Sequence, residues 1–188
     1  MYFKKLIGEK LYLSPVDKND FELFTNWIND MEVSLGTLQS EKIIGLDEEK
    51  EILERLSRGG ITFTIVDMET NKAIGYTGFP QYDYINRNAC VAITIGDKNY
   101  WRKGYGQETL KLLIDYGFSI LNFHNINLTV FEYNKNAIES YKKVGFKEVG
   151  RLREAKFLCG IKYDKIIMDI LSHEFRSVYI EKILGKKE

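Results

Sequence analysis

The chain has 188 residues, of which 44% are apolar and only two are prolines. This composition is typical of a folded domain and excludes a disordered chain, and a domain of this length buries about 70% of its unfolded surface without disulfides or metals. Lysine plus arginine and aspartate plus glutamate number 27 each. The balance argues against a nucleic-acid-binding protein, because such proteins usually carry a basic excess.

Few residues are suited to metal binding or to disulfides. Cys90 and Cys159 lie far apart without metal-ligand spacing, and only His124 and His173 accompany them, so we expect free thiols and no metal. No apolar run approaches the ~20 residues of a membrane span, and residues 1–10 lack the apolar core of a signal peptide. These observations predict a cytoplasmic protein that does not act at a membrane.

The first half of the chain predicts helices followed by an antiparallel meander. A short strand at 11–13 precedes a helix that Asp17 caps and that runs to Asn29, then comes a loop with helical turns. A second helix at 47–58 ends at Gly59 and Gly60. Alternating apolar residues then predict three strands, at 61–66, 73–79 and 89–95. A tyrosine-containing loop at 80–88 precedes the third strand.

The second half alternates helices and strands. One apolar helical face is formed by Leu110, Leu113, Ile114, Gly117, Phe118 and Leu121. A strand at 126–131 and a short helix at 136–144 follow, and Gly145 suits the residue after a helix. The remainder predicts two strands and a last helix, at 146–157, 162–171 and 172–184. This order of elements indicates an α+β fold with a mixed sheet.

The most informative segment is the turn from Trp101 to Gln107. A strand runs out at Ile95, two glycines separated by one residue follow, and the strongest helix begins. Unpaired N–H groups and the helix dipole favour an anion at a helix start, glycines allow close approach, and Arg102 and Lys103 add positive charge. The segment therefore predicts a site for pyrophosphate or another anion.

Glycine spacing alone does not choose the nucleotide. A Walker A motif is absent because no Gly-Lys-Ser/Thr sequence follows the turn. A Rossmann turn needs a third glycine where Thr109 stands, together with a repeated parallel βαβ pattern.

A second segment, 134–146, reads Asn-Lys-Asn-Ala-Ile-Glu-Ser-Tyr-Lys-Lys-Val-Gly-Phe. With Tyr-Trp-Arg-Lys-Gly-Tyr-Gly at 100–106, it resembles the two spaced motifs of the GNAT acetyltransferases, and the resemblance runs without a gap from about 87 to 170. The chain looks most similar to the branch that holds ribosomal-protein alanine N-acetyltransferases and spermidine N-acetyltransferases. Features of that branch are Trp101, the helix segment at 115–118 and Gly-Arg-Leu-Arg-Glu at 150–154.

The resemblance implies the GNAT fold, with a mixed, mostly antiparallel sheet of about six or seven strands flanked by helices. It implies one domain over residues 1–188, with an acyl-CoA-binding core at about 87–150 and a C-terminal helix at about 172–184. It also implies acetyl-CoA as co-substrate and no metal. The residues expected to bind the cofactor are Ile93, Thr94, Ile95, Trp101, Arg102, Lys103, Gly104, Tyr105, Gly106, Gln107 and Asn134.

Transfer of acetyl from a thioester to an amine requires an amine without its extra proton, donors for the oxyanion and an acid for the departing thiolate. The resemblance places Tyr141 beside the sulfur, so Tyr141 is the candidate acid. Asn134 is expected to contact the cofactor, to cap a helix, or both. The backbone at 93–95 is expected to bind the pantetheine arm and to donate to the oxyanion.

The acceptor side is less defined. The branch usually has a glutamate near position 90, where this chain has Cys90, so an expected contact with the amine is in doubt. Carboxylates in flanking loops, or an ordered water, are alternatives for the general base. The residues that remain open for this side are the carboxylates Asp30, Glu32 and Asp83 and the aromatic residues Trp27, Tyr82 and Tyr84.

Several functions stay open at this point. The first is acetylation of a primary amine at a protein N-terminus or on a small molecule, by direct attack in a ternary complex. A polyamine such as spermidine is the alternative acceptor, but its several charges call for several carboxylates, and Lys42, Arg87 and Cys90 dilute them. A non-catalytic acetyl-CoA sensor or scaffold and a plain nucleotide-binding domain are alternatives of other classes, and a homodimer is compatible with the sequence.

Overall fold

The computed structural model describes residues 1–177 and 179–185. Its sheet has eight strands in the order β1-β2-β3-β4-β5-β6-β8-β7. Strands β5 and β6 run parallel, whereas β6 and β7 each run antiparallel to β8, so the predicted mixed sheet is confirmed. The strand bounds are Leu6–Ile7 (β1), Leu11–Pro15 (β2), Ile61–Asp67 (β3), Ala73–Asp83 (β4), Asn88–Ile95 (β5), Asn125–Phe131 (β6), Lys147–Leu158 (β7) and Ile161–Leu171 (β8).

Six α-helices accompany the strands in this part of the chain. Asp17 caps a 3-10 turn that leads into the first helix, and Gly45 precedes the third. The bounds are Phe21–Asn29 (α1), Met31–Ser34 (α2), Leu46–Arg58 (α3), Tyr105–Ser119 (α4), Lys135–Val144 (α5) and Ile180–Ile183 (α6). None of the helices within the described ranges is long and apolar enough to cross a bilayer.

Packing contacts group the chain into two compact units, and the organisation of residues 1–188 as one domain stays a prediction. The first unit contains Met1–Pro80 and Ala92–Leu113. Its core joins α1 and α3 to the sheet, with the rings of Phe24 and Tyr76 stacked at 5.2 Å. A Cβ atom at position 96 would lie 2.1 Å from the Trp27 ring, so only glycine fits there.

The second unit contains Gln81–Val91 and the chain from Ile114 onwards. It holds the antiparallel strands β6, β8 and β7, and the start of β5 pairs with β6. Helix α5 ends at Gly145, whose φ of 119° is a left-handed conformation that favours glycine.

Two strand predictions need correction. The sheet has eight strands rather than six or seven, because β1 has only two residues and forms through its pairing with β2. A two-residue strand has no period that a sequence shows. The predicted loop at 80–88 is also too long, since β4 continues through Pro80 to Asp83 and only the residues up to Arg87 form the turn.

The predicted helix at 172–184 is wrong as a continuous element. Residues Ser172–Glu174 form a 3-10 turn, residues 175–177 are neither helix nor strand, and α6 covers only Ile180–Ile183. The buried Asp115 carboxylate accepts hydrogen bonds from the N–H groups of Tyr179 and Ile180 at 2.8 and 3.1 Å. A carboxylate from α4 therefore starts a separate short helix, and Val178 of the prediction lies outside the described residues.

Candidate active site

The anion-binding potential of the turn lies in its backbone. Arg102 and Gly104 have φ angles of 59° and 88°, both in the left-handed region, and α4 begins directly afterwards at Tyr105. The N–H of Glu108 bonds to the carbonyl oxygen of Gly104 at 3.1 Å. Among residues 1–177 and 179–185, no hydrogen-bond partner is found for the N–H groups of 105–107. These groups are free to bind phosphate oxygens.

The two glycines contribute in different ways. Gly104 needs its left-handed backbone, so a side chain there is strained regardless of space. Gly106 is helical, and a Cβ there would lie 4.0 Å from the nearest side-chain atoms of Ile93 and Ile95. The protein itself therefore has room for a methyl group at 106, and the glycine leaves the space between the turn and β5 open.

Two aromatic side chains of the turn are tied to the protein. The indole N–H of Trp101 donates to the carbonyl oxygen of Ile95 at 2.7 Å, and the hydroxyl of Tyr105 donates to Asp67 at 2.7 Å. Burial, followed by that hydrogen bond, raises the pKa of Tyr105 to about 12. Burial alone would raise the pKa of Asp67, but hydrogen bonds from Thr70 and Tyr105 outweigh it and lower that pKa. Binding of the cofactor by Trp101 and Tyr105 stays a prediction, and their side chains hold the turn in place.

The turn is also held from the start of the chain, which the sequence did not indicate. Glu108 accepts hydrogen bonds from the N–H groups of Glu9 and Lys10 at 2.5 and 2.9 Å. The ammonium of Lys10 donates to the carbonyl oxygen of Lys103 at 3.0 Å. A glutamate in the first turn of a helix is common. Its partners here lie about a hundred residues earlier in the chain, so the sequence around Glu108 does not show the contact.

A cavity of about 410 Å³ opens beside the turn. Its lining mixes carboxylates with lysines, so its charge does not select an anion. Anion binding at the helix start and at the exposed side chains of Arg102 and Lys103 stays a prediction. The cavity is lined by Asp67, Glu69, Thr70, Lys72, Asp97, Asn99, Tyr100, Lys103 and Tyr105.

The segment Ile93–Ile95 forms the end of β5. The parallel register with β6 contains three pairs, from Asn88 with Asn125 to Cys90 with Asn127. The three residues of the segment are not among them. Their backbone groups on that edge have no ladder partner in β6 and are suited to hydrogen bonds with an extended ligand.

Helix α5 brings the other predicted site residues. Asn134 caps it and accepts a hydrogen bond from the N–H of Ala137 at 3.2 Å. The capping role of Asn134 is thus confirmed, and its contact with the cofactor stays a prediction. At the other end, the N–H groups of Gly145 and Phe146 both bond to the carbonyl oxygen of Tyr141, at 3.2 and 3.1 Å.

The phenol of Tyr141 is partly buried and packs edge-on against Phe146, with ring centroids 6.1 Å apart. Its hydroxyl has no hydrogen-bond partner within residues 1–177 and 179–185. Burial raises its pKa to about 12, so the hydroxyl keeps its proton at neutral pH. A protonated hydroxyl without an internal partner is available to donate to a ligand.

The surface carboxylates considered as general bases already have partners. The ammonium of Lys98 lies 2.8 Å from Asp30 and 3.0 Å from Glu32, and Asp30 also caps α2. Asp83 accepts hydrogen bonds from the backbone N–H groups of the turn that follows β4. Hydrogen bonds lower the pKa values of Asp30 and Asp83, which makes them weaker bases.

The remaining residues considered for the acceptor side make packing contacts, and a place in an acceptor pocket stays a prediction for them. Tyr84 stacks on Phe123 at 5.6 Å, and Tyr82 contacts both rings. Trp27 lies in the core of the first unit. Burial raises the pKa of Cys90, which keeps it a neutral thiol. The ring of His124 bonds to the Ser172 hydroxyl at 3.0 Å.

Comparison with known proteins agrees with this geometry. Residues 10–147 match the family described as acetyltransferase (GNAT) domain. The uncharacterized N-acetyltransferase p20 of Bacillus licheniformis is 27% identical over 178 residues, covering 90% of this chain and 97% of that protein. The spermidine N(1)-acetyltransferase of Vibrio cholerae is 28% identical over 171 residues, with the same coverage. The crystal structure of the spermidine N-acetyltransferase from Vibrio cholerae in complex with CoA and spermine has a TM-score of 0.80, covering 89% of this chain and 98% of that one.

The chain belongs to the GNAT acetyltransferase family. The prediction of an acetyl-CoA-dependent N-acetyltransferase that acts on an amine is thereby confirmed. A second solved structure, a GNAT-family acetyltransferase from Bacillus anthracis, shares the fold with a TM-score of 0.78 at 18% identity, covering 93% of this chain and all of that one. Among the described residues, no group of three or more His, Cys, Asp or Glu side chains could hold a metal ion.

Proposed function

We propose that this N-acetyltransferase acts on a protein N-terminus or on a small amine of low charge, by direct attack in a ternary complex. The observation that supports this acceptor class is the pairing of two of the surface carboxylates with one lysine, which reduces their combined negative charge. Lys98 pairs with both Asp30 and Glu32, and position 90 holds a neutral thiol. A polyamine with several charges favours several free carboxylates, which these residues do not supply.

The residue roles follow from the two segments described above. Free backbone N–H groups at 105–107, together with Arg102 and Lys103, bind the pyrophosphate. Backbone groups of Ile93–Ile95 bind the pantetheine arm and donate to the oxyanion. Bound acetyl-CoA supplies the thioester, and the Tyr141 hydroxyl donates a proton to the departing sulfur. The free hydroxyl of Tyr141 and its raised pKa support this role.

A polyamine is the second candidate acceptor. It is favoured by the relatives, since the Vibrio cholerae protein is named a spermidine N(1)-acetyltransferase and a solved structure contains spermine. We also propose a cytoplasmic location, in line with the free cysteines Cys90 and Cys159. A homodimer is compatible with this proposal.

The test measures release of free CoA with spermidine and with a peptide that begins with alanine or serine. We expect the larger kcat/KM for the peptide or for a singly charged amine. A spermidine value about ten times higher, which corresponds to about 1.4 kcal/mol, and a steep fall with added salt would overturn the acceptor preference. Tight acetyl-CoA binding without turnover on any amine would instead favour the non-catalytic sensor.

A further inference from the structure

The β1–β2 turn (residues 8–11) contacts the start of α4, and both belong to the first unit. A hydrogen bond from the N–H of Gly8 to the carbonyl oxygen of Leu11, at 2.9 Å, closes this turn. A Cβ atom at Gly8 would lie 2.2 Å from Oε1 of Glu108, so the glycine lets that carboxylate reach the N–H groups of Glu9 and Lys10. The β1–β2 turn is therefore fastened to the helix at which we place the pyrophosphate.

This contact also determines where the charge of Glu108 lies. A glutamate in the first turn of a helix can bond to the free N–H groups at that helix start. Oε1 of Glu108 instead accepts from two N–H groups of the β1–β2 turn. The N–H groups of 105–107 have no partner within the described residues, so the helix start keeps its donors for a ligand.

Lys10 is held on both sides of its backbone. Its N–H bonds to Glu108 at 2.9 Å, and its carbonyl oxygen accepts from the N–H of Met68 at 2.8 Å. The ammonium at the end of its side chain donates to the carbonyl oxygen of Lys103 at 3.0 Å. A Cβ atom at Gly104 would lie 3.4 Å from the same nitrogen. The ammonium thus lies beside the glycine that directly precedes α4.

The ammonium of Lys10 has donors that the protein does not use. A lysine ammonium carries three N–H bonds, and residues 1–177 and 179–185 accept one of them. No carboxylate in this part of the chain forms an ion pair with it. Because the bond to Lys103 already orders the end of the side chain, a ligand that binds there has less side-chain entropy to overcome.

We propose that Lys10 is a further acetyl-CoA-binding residue, whose ammonium binds a pyrophosphate oxygen beside the free N–H groups of 105–107. The inference rests on the pyrophosphate site of the proposed function. A hydrogen bond from an ammonium to a phosphate oxygen is charge-assisted and stronger than one between neutral groups. Lys10 precedes Lys103 by 93 residues, so the motif around the turn does not contain this contribution.

CoA carries a second phosphate, at the 3′ position of its ribose, and that group offers the same oxygen chemistry. We assign Lys10 to the pyrophosphate because its ammonium lies beside Gly104, directly before the free N–H groups of α4. The 3′-dephospho form of acetyl-CoA keeps the pyrophosphate and lacks the other phosphate. A comparison of the two cofactors therefore identifies the phosphate that Lys10 binds.

The experiment measures the Kd of acetyl-CoA and of its 3′-dephospho form for the parent, Lys10→Met and Lys10→Arg. Methionine keeps an unbranched side chain and removes the charge. We expect Lys10→Met to raise both Kd values about fivefold at ~0.05 M salt, and only about twofold at ~0.5 M, because salt screens exposed charges. Lys10→Arg keeps the charge and should stay within about twofold of the parent. The kcat at saturating cofactor should be unchanged in both variants.

The matched control is Lys5→Met, which removes the same charge from an exposed lysine just before β1. It should leave both Kd values unchanged. The Tm of each variant should stay within about 2 °C of the parent's, since substitutions of exposed side chains change stability little.

Three results would overturn the role of Lys10 and leave the proposed function intact. The first is an unchanged Kd in Lys10→Met. The second is an increase that salt does not reduce, which would mean that Lys10 only holds the carbonyl group of Lys103. The third is an increase for acetyl-CoA but not for its 3′-dephospho form, which would place the ammonium at the 3′-phosphate. Absence of both acetyl-CoA binding and acetylation by the parent would overturn the proposed function itself.

Discussion

The turn at Trp101–Gln107 and helix α5 differ in which part of the chain is free to bind. In the turn, the side chains of Trp101 and Tyr105 bond to the protein, while the N–H groups of 105–107 have no partner in the part of the chain that the structure describes. In α5, the cap and the C-terminal turn use the backbone, while the hydroxyl of Tyr141 has no partner among the described residues. The first segment is thus suited to binding through its backbone and the second to chemistry through one side chain.

This difference determines how each segment should be tested. Removal of a side-chain group tests α5, because a single hydroxyl carries the proposed role. Addition of a side-chain group tests the turn, because the absence of a Cβ keeps the backbone accessible. The two kinds of variant should also differ in their kinetics. A variant in α5 should lose turnover, whereas a variant in the turn should lose affinity for acetyl-CoA.

The largest effect is expected for Tyr141→Phe. The ring and its contact with Phe146 remain, and only the proton donor is lost. We expect kcat to fall by roughly 10²–10⁴-fold with an unchanged Kd for acetyl-CoA. Because burial raises the pKa of Tyr141 to about 12, its ionisation should cause no fall in the parent's kcat below about pH 11.

The control for this prediction is Tyr82→Phe, which deletes another hydroxyl from a tyrosine in an aromatic contact. Its kcat should equal that of the parent. Weaker acetyl-CoA binding by Tyr141→Phe at an unchanged kcat would assign Tyr141 to cofactor positioning, and the distinction between the two segments would be lost.

The second prediction concerns Gly106→Ala. The protein has room for this methyl group, and alanine is favoured over glycine inside a helix by about 0.5–1 kcal/mol. The Tm of the free protein should therefore hold or rise. The methyl group narrows the space between the turn and Ile93–Ile95, so we expect the Kd for acetyl-CoA to increase at least about tenfold. Titration calorimetry with acetyl-CoA measures the Kd, and a calorimetric thermal scan of the free protein measures the Tm.

Gly45→Ala is the matched control, because no atom of the described residues lies within 4 Å of the added methyl. It should leave the affinity for acetyl-CoA unchanged. Substitution of Gly104 is less informative, since its φ of 88° strains any side chain. If Gly106→Ala binds acetyl-CoA as the parent does, the pyrophosphate site lies elsewhere.

The parts of the fold and site that the sequence predicted have local signals. Two glycines before a helix predicted the turn, and Asn134 and Gly145 predicted both ends of α5 within one residue. The fold class followed from the order of elements and from the resemblance of the two motifs. In each case the decisive residues are neighbours in the chain.

The features that the sequence did not predict depend on distant residues. The contact of Glu108 with Glu9 and the burial of Glu49 exist only once the chain has folded. The C-terminal segment shows the same limit, since its apolar periodicity favoured one helix. The Asp115 carboxylate instead bonds to backbone groups at Tyr179 and starts a shorter one. Tertiary contacts override local propensity at such positions.

The smallest effect is expected for Trp101→Phe, which tests how the turn is held rather than what it binds. The change removes the indole N–H and leaves the carbonyl oxygen of Ile95 without that donor. Loss of one such hydrogen bond costs about 1 kcal/mol, or about fivefold in affinity if the turn must be ordered on binding. The control is Tyr100→Phe, whose exposed hydroxyl lies 3.4 Å from the Thr70 hydroxyl and makes a weak contact at best. Titration with acetyl-CoA should show a several-fold higher Kd for the first variant only, with kcat at saturation unchanged in both. A fall in kcat for Trp101→Phe would mean that the turn also positions the reacting group, and the separation between binding by the turn and chemistry by α5 would then be incomplete.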